Sequence, residues 1–364
     1  MSSRAKYGLA VGHLLAALLS IIGIGQLRAE AVPTAERPMT VRQAAGQHLV
    51  FAYDGLVPPP ALRRRIARGE AAGVILFARN VRSAAQVRAA MRSLQRIRRP
   101  HGFGAPLLVM ADQEGGSVRR IPGAPARAAA DVERASQARS DGLAAARTLR
   151  GAGVNVNLAP VADVARPGAA LENERRTYGR ASTRVTRLTG AFAAGLRDGR
   201  VLAVPKHFPG FGAARVSTDV APARIESSLD TLRSVDELPF AALVANGVPA
   251  LMVSTAVYPA LDERPTALSR AWIRDELRRR LGFRGVVVSD DLGTPAVASF
   301  GTNGRRAALA VAAGIDIPLF VGSYRAGVEA FEGIVAATRS GNLDRGVLRA
   351  KARRVLRMRA LLAR

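Results

Sequence analysis

The stretch Leu107-Leu-Val-Met-Ala-Asp-Gln-Glu-Gly-Gly116 contains the pattern from which the fold of this chain is predicted. Its first five residues are apolar, and acidic, amide and glycine residues follow at once. A continuous apolar run of this length is typical of a strand that is buried on both faces, as in a parallel sheet. The abrupt change after Ala111 predicts that polar side chains gather where the strand ends.

The same pattern recurs along the chain. Seven further apolar runs are found at His48–Tyr53, Gly73–Phe77, Val154–Leu158, Val201–Pro205, Ala250–Ser254, Gly285–Ser289 and Ile315–Val321. Between and after the runs lie stretches rich in Arg and Ala with the 3.6-residue period of helices. Gly151, Gly247 and Gly314 stand where these helices are expected to end, because glycine readily adopts the left-handed conformation.

Eight strand-then-helix units predict an α/β fold, a closed (β/α)8 barrel of the TIM type in a single domain over residues 47–364. An open doubly wound sheet is the alternative. That alternative is weakened because no G-x-G-x-x-G motif follows the first run. Residues 32–46, with Pro33 and Pro38, are expected to form an exposed lead-in segment.

The N-terminus has the features of an export signal. Arg4 and Lys6 precede an apolar run from Leu9 to Gly25, and Ala29-Glu30-Ala31 supplies an A-x-A cleavage pattern. This arrangement predicts a secretory signal over residues 1–31, cleaved after Ala31. An uncleaved anchor that tethers the protein to a membrane is the alternative, because the apolar run is close to spanning length. Either way, we expect the folded part to lie outside the cytoplasm, secreted or in the cell envelope.

Composition excludes several classes of function. The 364 residues contain no Cys, which rules out disulfides, thiolate metal sites and a cysteine nucleophile. The formal net charge is +26, but the arginines are scattered, without interleaved aromatic residues or a recognisable nucleic-acid module. We therefore expect no nucleic-acid partner, and interpret the arginines as a solvated surface suited to an anionic cell wall.

Polar residues follow several of the apolar runs. They are Asp54-Gly55, Arg79-Asn80, Asp112 to Gly116, Asp163, Lys206-His207 and Ser289-Asp290-Asp291. In a barrel these positions meet at the carboxyl ends of the strands, where active sites are built. Such a set of charged groups and glycines suits a polyhydroxylated ring. No H-x-x-H or H-E-x-x-H motif is present, so we expect neither a catalytic metal nor another cofactor. The lack of a G-x-S-x-G elbow argues against an α/β-hydrolase.

Five ordered motifs closely resemble glycoside hydrolase family 3, and in particular its single-domain bacterial β-N-acetylhexosaminidases. The motifs are Gly73-Val-Ile-Leu-Phe-Ala-Arg-Asn80, Asp112-Gln-Glu-Gly-Gly116, Leu158-Ala-Pro-Val-Ala-Asp163, Lys206-His-Phe-Pro-Gly210 and Val288-Ser-Asp-Asp-Leu292. The resemblance covers about residues 45 to 360. It implies a hydrolase that acts on saccharides, including fragments derived from peptidoglycan.

The resemblance also assigns roles to single residues. It implies that Asp290 is the nucleophile that forms a glycosyl-enzyme intermediate, as a retaining enzyme requires. Its neighbour Asp291 is expected to point elsewhere by strand alternation. The remaining matches are substrate-binding residues. These are Asp112, which holds outer sugar hydroxyls, Arg120 and Arg176, which grip the sugar, and Lys206 and His207, which contact the ring near the cleaved bond.

The match breaks at the general acid/base. Family members of this subgroup carry an Asp-x-His pair on a mobile loop after Lys-His-Phe-Pro-Gly, and the His is the acid/base. Here the stretch reads Phe211-Gly-Ala-Ala-Arg-Val-Ser-Thr-Asp219, with Ser217 in place of the Asp and Asp219 in place of the His. Asp219 is the natural substitute if burial or a nearby carboxylate raises its pKa. It is equally well interpreted as a residue that caps or orders a loop.

Two functions remain open at this point. The first is a retaining exo-glycosidase for β-N-acetylglucosaminides, with Asp290 and Asp219 as the catalytic residues. The second is a saccharide-binding pseudoenzyme of the same fold that has lost the chemistry. A phosphorylase, which uses phosphate in place of water, is a more distant third.

Overall fold

All eight apolar runs contain a strand in the computed structural model, which describes residues 39–363. The prediction of their positions is therefore confirmed. We number the strands β1 Val50–Phe51, β2 Gly73–Ile75, β3 Leu108–Ala111, β4 Val156–Asn157, β5 Leu202–Ala203, β6 Ala250–Val253, β7 Val286–Asp291 and β8 Ile317–Leu319.

The strands form two parallel sheets in sequence order. One sheet runs β1-β2-β3-β4-β5, and the other runs β6-β7-β8. Backbone bonds just after β5 reach the second sheet: Met252 N donates to Pro205 O and Phe208 N donates to Met252 O, both at 2.9 Å. Between β8 and β1, no strand pairing is present among residues 39–363. The α/β class is thus observed, with neighbouring strands in the order expected from the repeated units.

Helices occupy the connections between the strands. Those of seven residues or more are Val41–Gln47, Pro60–Ala67, Ala84–Gln95, Ala135–Gly151, Ser182–Asp198, Leu238–Ala245, Asn303–Ala313, Tyr324–Arg339 and Arg345–Ala360, together with the π-helical Ala271–Arg280. A short π-helical turn covers Leu232–Asp236. Two small antiparallel hairpins pair Gln113–Gly115 with Val118–Arg119, and Val257–Tyr258 with Asp262–Pro265.

Alternate residues of several strands belong to two different apolar clusters. In β3, Leu108 and Met110 pack in a cluster made mostly of strand residues, whereas Val109 and Ala111 pack in the larger cluster that includes the helices. Both faces of the strand are buried in consequence. In β3 this double burial is the physical reason why every position of the run is apolar and none alternates with a polar residue.

The expected lead-in is wrong for residues 41–46, which are helical and partly buried. Thr40 caps the helix Val41–Gln47 by accepting a hydrogen bond from Gln43 N at 3.1 Å. Ala44 and Ala45 are fully buried. Gly46 lies against the backbone of Glu70, where an added Cβ would come within 2.3 Å. Small side chains allow this helix to dock closely, a long-range contact that sequence pattern did not reveal.

Some predictions fall outside the described residues. The signal or anchor over residues 1–31 and the first part of the lead-in, residues 32–38, are among them. Within residues 39–363, no helix combines the length and the apolar character needed to cross a membrane.

Candidate functional site

A cavity of about 170 Å³ lies at the carboxyl ends of the strands. Its walls include Ile75 at the end of β2, Leu158 just after β4 and Leu319 at the end of β8. All seven site residues predicted from the sequence line this one cavity: Asp112, Arg120, Arg176, Lys206, His207, Asp219 and Asp290. Residues up to 178 positions apart in the chain therefore meet at one end of the sheets.

Four charged side chains form a buried network on one wall. Lys206 Nζ donates to Asp112 Oδ1 at 2.6 Å and lies 2.7 Å from Glu114 Oε1. Arg176 binds Glu114 through two parallel bonds of 2.9 Å, Nε to Oε2 and Nη2 to Oε1. Such a bidentate pair fixes the guanidinium plane as well as its position. The network therefore holds both cations in place without a ligand.

The network shifts the pKa values of its members. Burial acts to raise the pKa of Glu114, but Lys206 and Arg176 outweigh it and lower that pKa to about 2. Burial acts to lower the pKa of Lys206, yet Asp112 and Glu114 raise it above the usual value. Both groups are therefore charged at neutral pH. Glu114 was not among the predicted site residues, although its place beside Asp112 after β3 was a signal that could have identified it.

Arg120 presents an unused donor to the cavity. Its backbone N–H donates to Asp112 O at 3.0 Å, and its guanidinium lies 5.6 Å from the centre of the Phe77 ring. Its Nε is 3.6 Å from Asp112 Oδ2, and this buried atom has no hydrogen-bond partner among the described residues. A buried N–H without a partner is costly, and a ligand hydroxyl could satisfy it.

A buried carboxylate orients His207. Asp163 is fully buried, and its Oδ2 lies 2.8 Å from His207 Nδ1. Its Oδ1 accepts from the backbone N–H groups of His207 and Phe211, at 3.1 and 2.6 Å. This arrangement fixes the imidazole ring and leaves its Nε2 without a hydrogen bond among the described residues. Asp163 thus supports the site, a role that its position after β4 could have suggested.

Two adjacent aspartates end β7 and both line the cavity. Asp290 is half-buried, and its Oδ1 accepts from Asp291 N at 2.9 Å. Asp291 Oδ1 accepts from Gly293 N at 2.8 Å and Val321 N at 3.2 Å. Burial raises the pKa of Asp291 to about 6, an effect reduced by these two bonds and increased by Asp290. These backbone bonds hold the Asp291 carboxyl in place, but Asp291 borders the cavity and does not point elsewhere, as strand alternation had predicted.

Asp219 lies at the exposed rim, on the loop that follows Phe211. Its backbone N–H donates to Ser217 Oγ at 3.2 Å. Partial burial raises the pKa of the Asp219 carboxyl, and the charge of Asp290 raises it further, whereas His207 opposes the shift. Asp290 is therefore close enough to affect the ionisation of Asp219. The loop is held against the protein at Gly212, where an added Cβ would lie 2.0 Å from Val164 O.

The cavity is suited to a small polar ring. It combines fixed cations, carboxylates that accept hydrogen bonds and the apolar wall made by Phe77 and Leu158. In the part of the chain that the structure describes, no group of three or more His, Asp and Glu residues could hold a metal ion.

Comparison with known proteins identifies the family. Residues 40–358 match the model of the glycosyl hydrolase family 3 N-terminal domain. A protein from Arthroderma benhamiae, named "Uncharacterized secreted glycosyl hydrolase", is 38% identical over 359 residues, which is 95% of this chain and 100% of that protein. A β-hexosaminidase from Alkalilimnicola ehrlichii is 37% identical over 259 residues, which is 68% of this chain and 72% of that protein.

Solved structures agree with the sequence relatives. A glycoside hydrolase family 3 β-N-acetylglucosaminidase from Paenibacillus sp. str. FPU-7 superimposes with a TM-score of 0.83 at 30% identity. The match covers 89% of this chain and 63% of the Paenibacillus chain, so this chain spans less than two thirds of that enzyme. A β-N-acetylhexosaminidase from Beutenbergia cavernae superimposes with a TM-score of 0.80 at 31% identity, covering 88% of this chain and 98% of that one. This chain is a glycoside hydrolase and belongs to glycosyl hydrolase family 3.

Proposed function

We propose that the protein is a retaining exo-glycosidase that hydrolyses β-N-acetylglucosaminides in cell-wall fragments, such as those derived from peptidoglycan, or in related glycans. Asp290 is the nucleophile in this proposal, and Asp219 takes the place of the usual acid/base His. The observation that carries the proposal is the presence of Asp290 in the same cavity as the Asp112, Lys206 and Arg176 network. The names of the β-hexosaminidase relatives support the choice of sugar.

The reaction has two steps. The Asp290 carboxylate forms a bond to the anomeric carbon while the bond to the leaving oxygen breaks and that oxygen takes a proton from Asp219. Asp219, now a carboxylate, then accepts a proton from a water molecule that displaces Asp290 and regenerates both groups. A raised pKa in Asp219 suits the first step, because an acid must still hold its proton near the working pH.

The remaining site residues bind the sugar. Lys206 and Arg176 are held by carboxylates before the substrate arrives, so little side-chain entropy is lost when they bind hydroxyls. The free Nε of Arg120 and the free Nε2 of His207 supply further hydrogen bonds. Asp112 accepts from an outer hydroxyl. These roles explain why both positive and negative groups line the cavity.

The proposal includes the finer architecture and the location of the protein. We infer that β1 to β8 close into one TIM-type barrel over residues 47–364. The bonds from Pro205 and Phe208 to Met252 support this closure on one side, and the bond between His48 Nδ1 and Asp316 O, 2.6 Å, supports it on the other.

We also infer export through residues 1–31, by a cleaved signal or as a membrane tether, which the secreted relative supports.

Turnover of an aryl N-acetyl-β-glucosaminide tests the nucleophile. We expect the full chain to release the aryl alcohol and Asp290→Ala to lose about 10³-fold or more of kcat, because the covalent step has no substitute. Asp275→Ala is the matched control, since Asp275 is exposed and pairs with Arg279 at 3.0 Å outside the cavity. Equal turnover by the wild type and Asp290→Ala would overturn the proposal.

Asp219→Asn tests the acid/base. An activated aryl leaving group needs little protonation, so its rate of release should change little in the first step. Release from an N-acetylglucosamine disaccharide should fall by about 10²- to 10⁴-fold. Asp219 must be protonated to act as the acid, and its pKa is raised. As the pH increases, wild-type kcat/KM on the disaccharide should therefore decline at a higher pH than the pKa of an ordinary Asp would give. This decline should be absent in Asp219→Asn. If both substrates respond alike, Asp219 is not the acid.

A saccharide-binding pseudoenzyme is the second candidate. The observation in its favour is the exposed position of Asp219, whose backbone bond to Ser217 Oγ is also typical of a residue that only orders a turn. Calorimetry with N-acetylglucosamine would then show binding that Asp112→Ala and Arg176→Ala both abolish, while the disaccharide remains intact. Hydrolysis of the disaccharide by the wild type, or absence of binding, would exclude this candidate.

A further inference from the structure

A second cavity opens at the other ends of the same strands. Its volume is about 770 Å³, and its walls include Asn155 before β4, Leu202 at the start of β5 and Pro249 before β6. These are the amino ends of the parallel strands. The carboxyl ends of the same strands carry the cavity described above, which contains Asp290 and is called the sugar cavity below. The two cavities share no lining residue, so the second is a separate site. Its volume is within the range of roughly 300–1,000 Å³ that is typical of small-molecule sites.

The wall of this second cavity combines apolar side chains with positively charged ones. The apolar lining residues include Val154, Ala193, Ala194, Val201, Leu243 and Leu362. Arg150, Arg197 and Arg200 are the charged lining residues, and among residues 39–363 no carboxylate lines the cavity. An apolar wall next to cations fits a ligand with an apolar body and an anionic end.

The three arginines are not neutralised by the protein. Within residues 39–363, none of them forms an ion pair, and Arg150 makes a single long bond of 3.5 Å to Gly199 O. The nearby carboxylate of Asp198 is already bound by Arg139 at 2.6 Å. All three arginines are exposed. Guanidinium groups of this kind bind phosphate oxygens through two parallel bonds and are weakly hydrated, which favours anion binding.

Arg200 closes the helix Ser182–Asp198 in a left-handed conformation, with Val201 N donating to Leu196 O at 3.0 Å. The φ of Arg200 is 58°, and only Arg175 shares a positive φ among the non-glycine residues that the structure describes. A side chain in this left-handed region is uncommon, and glycine would adopt it with less strain. Here the strained residue places a cation beside the apolar wall.

We propose that this second cavity binds an anionic lipid, with its acyl chain on the apolar wall and its phosphate on Arg150, Arg197 and Arg200. A shallower groove continues from it through Val248, Pro249 and Leu361 and adds Arg284 and Arg357. Leu361 is 42% exposed at the junction, an apolar side chain that a lipid would cover. The site thus gives the exported enzyme a lipid contact on the side away from its sugar cavity.

Calorimetric titration of the full chain with monomeric short-chain lipids tests the proposal. Dihexanoyl phosphatidylglycerol, kept below its micelle concentration, should bind. Dihexanoyl phosphatidylcholine has the same chains without the net negative charge and should bind at least about tenfold more weakly. Inorganic phosphate, which lacks the chains, should also bind at least about tenfold more weakly. Equal binding of all three, or binding of none, would overturn the proposal.

Two sets of variants separate the site from the general charge of the chain. The triple variant Arg150→Glu, Arg197→Glu, Arg200→Glu should lose phosphatidylglycerol binding. A control triple exchange of exposed arginines on and beside the helix Ala84–Gln95 changes the net charge equally and should leave binding intact; it comprises Arg82→Glu, Arg92→Glu and Arg96→Glu. Equal losses in the two triple variants would show a non-specific charge effect and refute the site.

Gly190→Trp fills the cavity without removing a cation. Gly190 lines the second cavity, and a Cβ added there meets nothing within 4 Å, so the helix should fold as before. We expect lipid binding to fall at least about tenfold while the melting temperature stays unchanged. Arg200→Gly should also weaken binding without lowering the melting temperature, because it relieves the positive φ. Unchanged lipid affinity in Gly190→Trp would exclude the cavity as the acyl site.

Discussion

At the scale of single residues, the candidate site at the carboxyl ends of the strands depends on one carboxylate that neutralises two cations. Glu114 is 6% exposed and bonds both Arg176 and Lys206. A buried ion pair contributes little net stability on its own, but removal of one partner leaves the other charge buried and unpaired. Glu114 is therefore a residue whose loss should affect both the stability and the geometry of the site.

Glu114→Gln should destabilise the protein in a pH-dependent way. The pKa of Glu114 falls from 4.5 to about 2 on folding, so its stabilisation is complete above pH 4.5 and is lost as the pH drops toward 2. We expect the free energy of unfolding at pH 6 to fall by about 3–5 kcal/mol. The difference from wild type should narrow at pH 3, as measured by urea unfolding at both pH values.

Glu174→Gln is the matched control for this prediction. Glu174 also binds Arg176, at 2.9 Å, but its side chain is 46% exposed. An exposed ion pair is worth about 0–1 kcal/mol, so the variant should remain close to wild type at both pH values. A loss as large as that in Glu114→Gln would contradict the role of burial.

At the scale of elements, two long helices cross on glycine. A Cβ added to Gly195 in Ser182–Asp198 would lie 2.1 Å from Arg139 O in Ala135–Gly151. Gly142, in the helix Ala135–Gly151, makes the reciprocal contact: a Cβ added to it would lie 2.2 Å from Phe192 O in Ser182–Asp198. Backbone atoms of one helix therefore occupy the space that a side chain of the other would need. The close approach explains why glycine is present inside both helices despite its low helix propensity.

Gly195→Ala and Gly190→Ala should change stability in opposite directions. The first forces the helices apart and should cost about 1–3 kcal/mol of unfolding free energy. The second lies in the same helix with open space around its new Cβ, and should stabilise by about 0.5–1 kcal/mol because alanine is the better helix former. Thermal and urea unfolding of the two variants measure the difference. A lower free energy of unfolding in Gly190→Ala than in the wild type would show that helix propensity does not determine stability at that position.

At the scale of the whole molecule, the last long helix ties together distant parts of the chain. Arg359 is fully buried in Arg345–Ala360, and it donates to Gln47 Oε1, to Pro106 O at 2.9 Å and to Phe103 O at 3.1 Å. His48 Nε2 is 3.2 Å from Leu348 O of the same helix. The first and last elements of the described chain are thus joined by buried polar bonds.

Arg359→Met should weaken this connection strongly. The methionine fills part of the volume but leaves several buried carbonyl oxygens without donors, so we expect a loss of about 3–5 kcal/mol. Arg357→Met on the exposed face of the same helix is the control and should stay within about 0.5 kcal/mol of wild type. Guanidinium chloride unfolding compares the two. Similar stabilities would mean that the bonds of Arg359 carry no net energy.

The sequence by itself determined the eight strand positions and the end of the sheets at which the site lies. Both depend on local pattern, because strands buried on two faces are mostly apolar and parallel strands bring their carboxyl ends together. The family resemblance then placed all seven predicted residues in what proved to be one cavity.

Only the tertiary structure decided which distant groups touch. It paired Glu114 with Arg176 and Asp163 with His207 and docked the helix Val41–Gln47 in the core. Within the described residues, it also left three arginines without carboxylate partners around a second cavity. These features depend on contacts between residues tens to hundreds of positions apart. Sequence pattern reports whether a residue is buried or periodic, but the partner that it meets is set by how the elements pack.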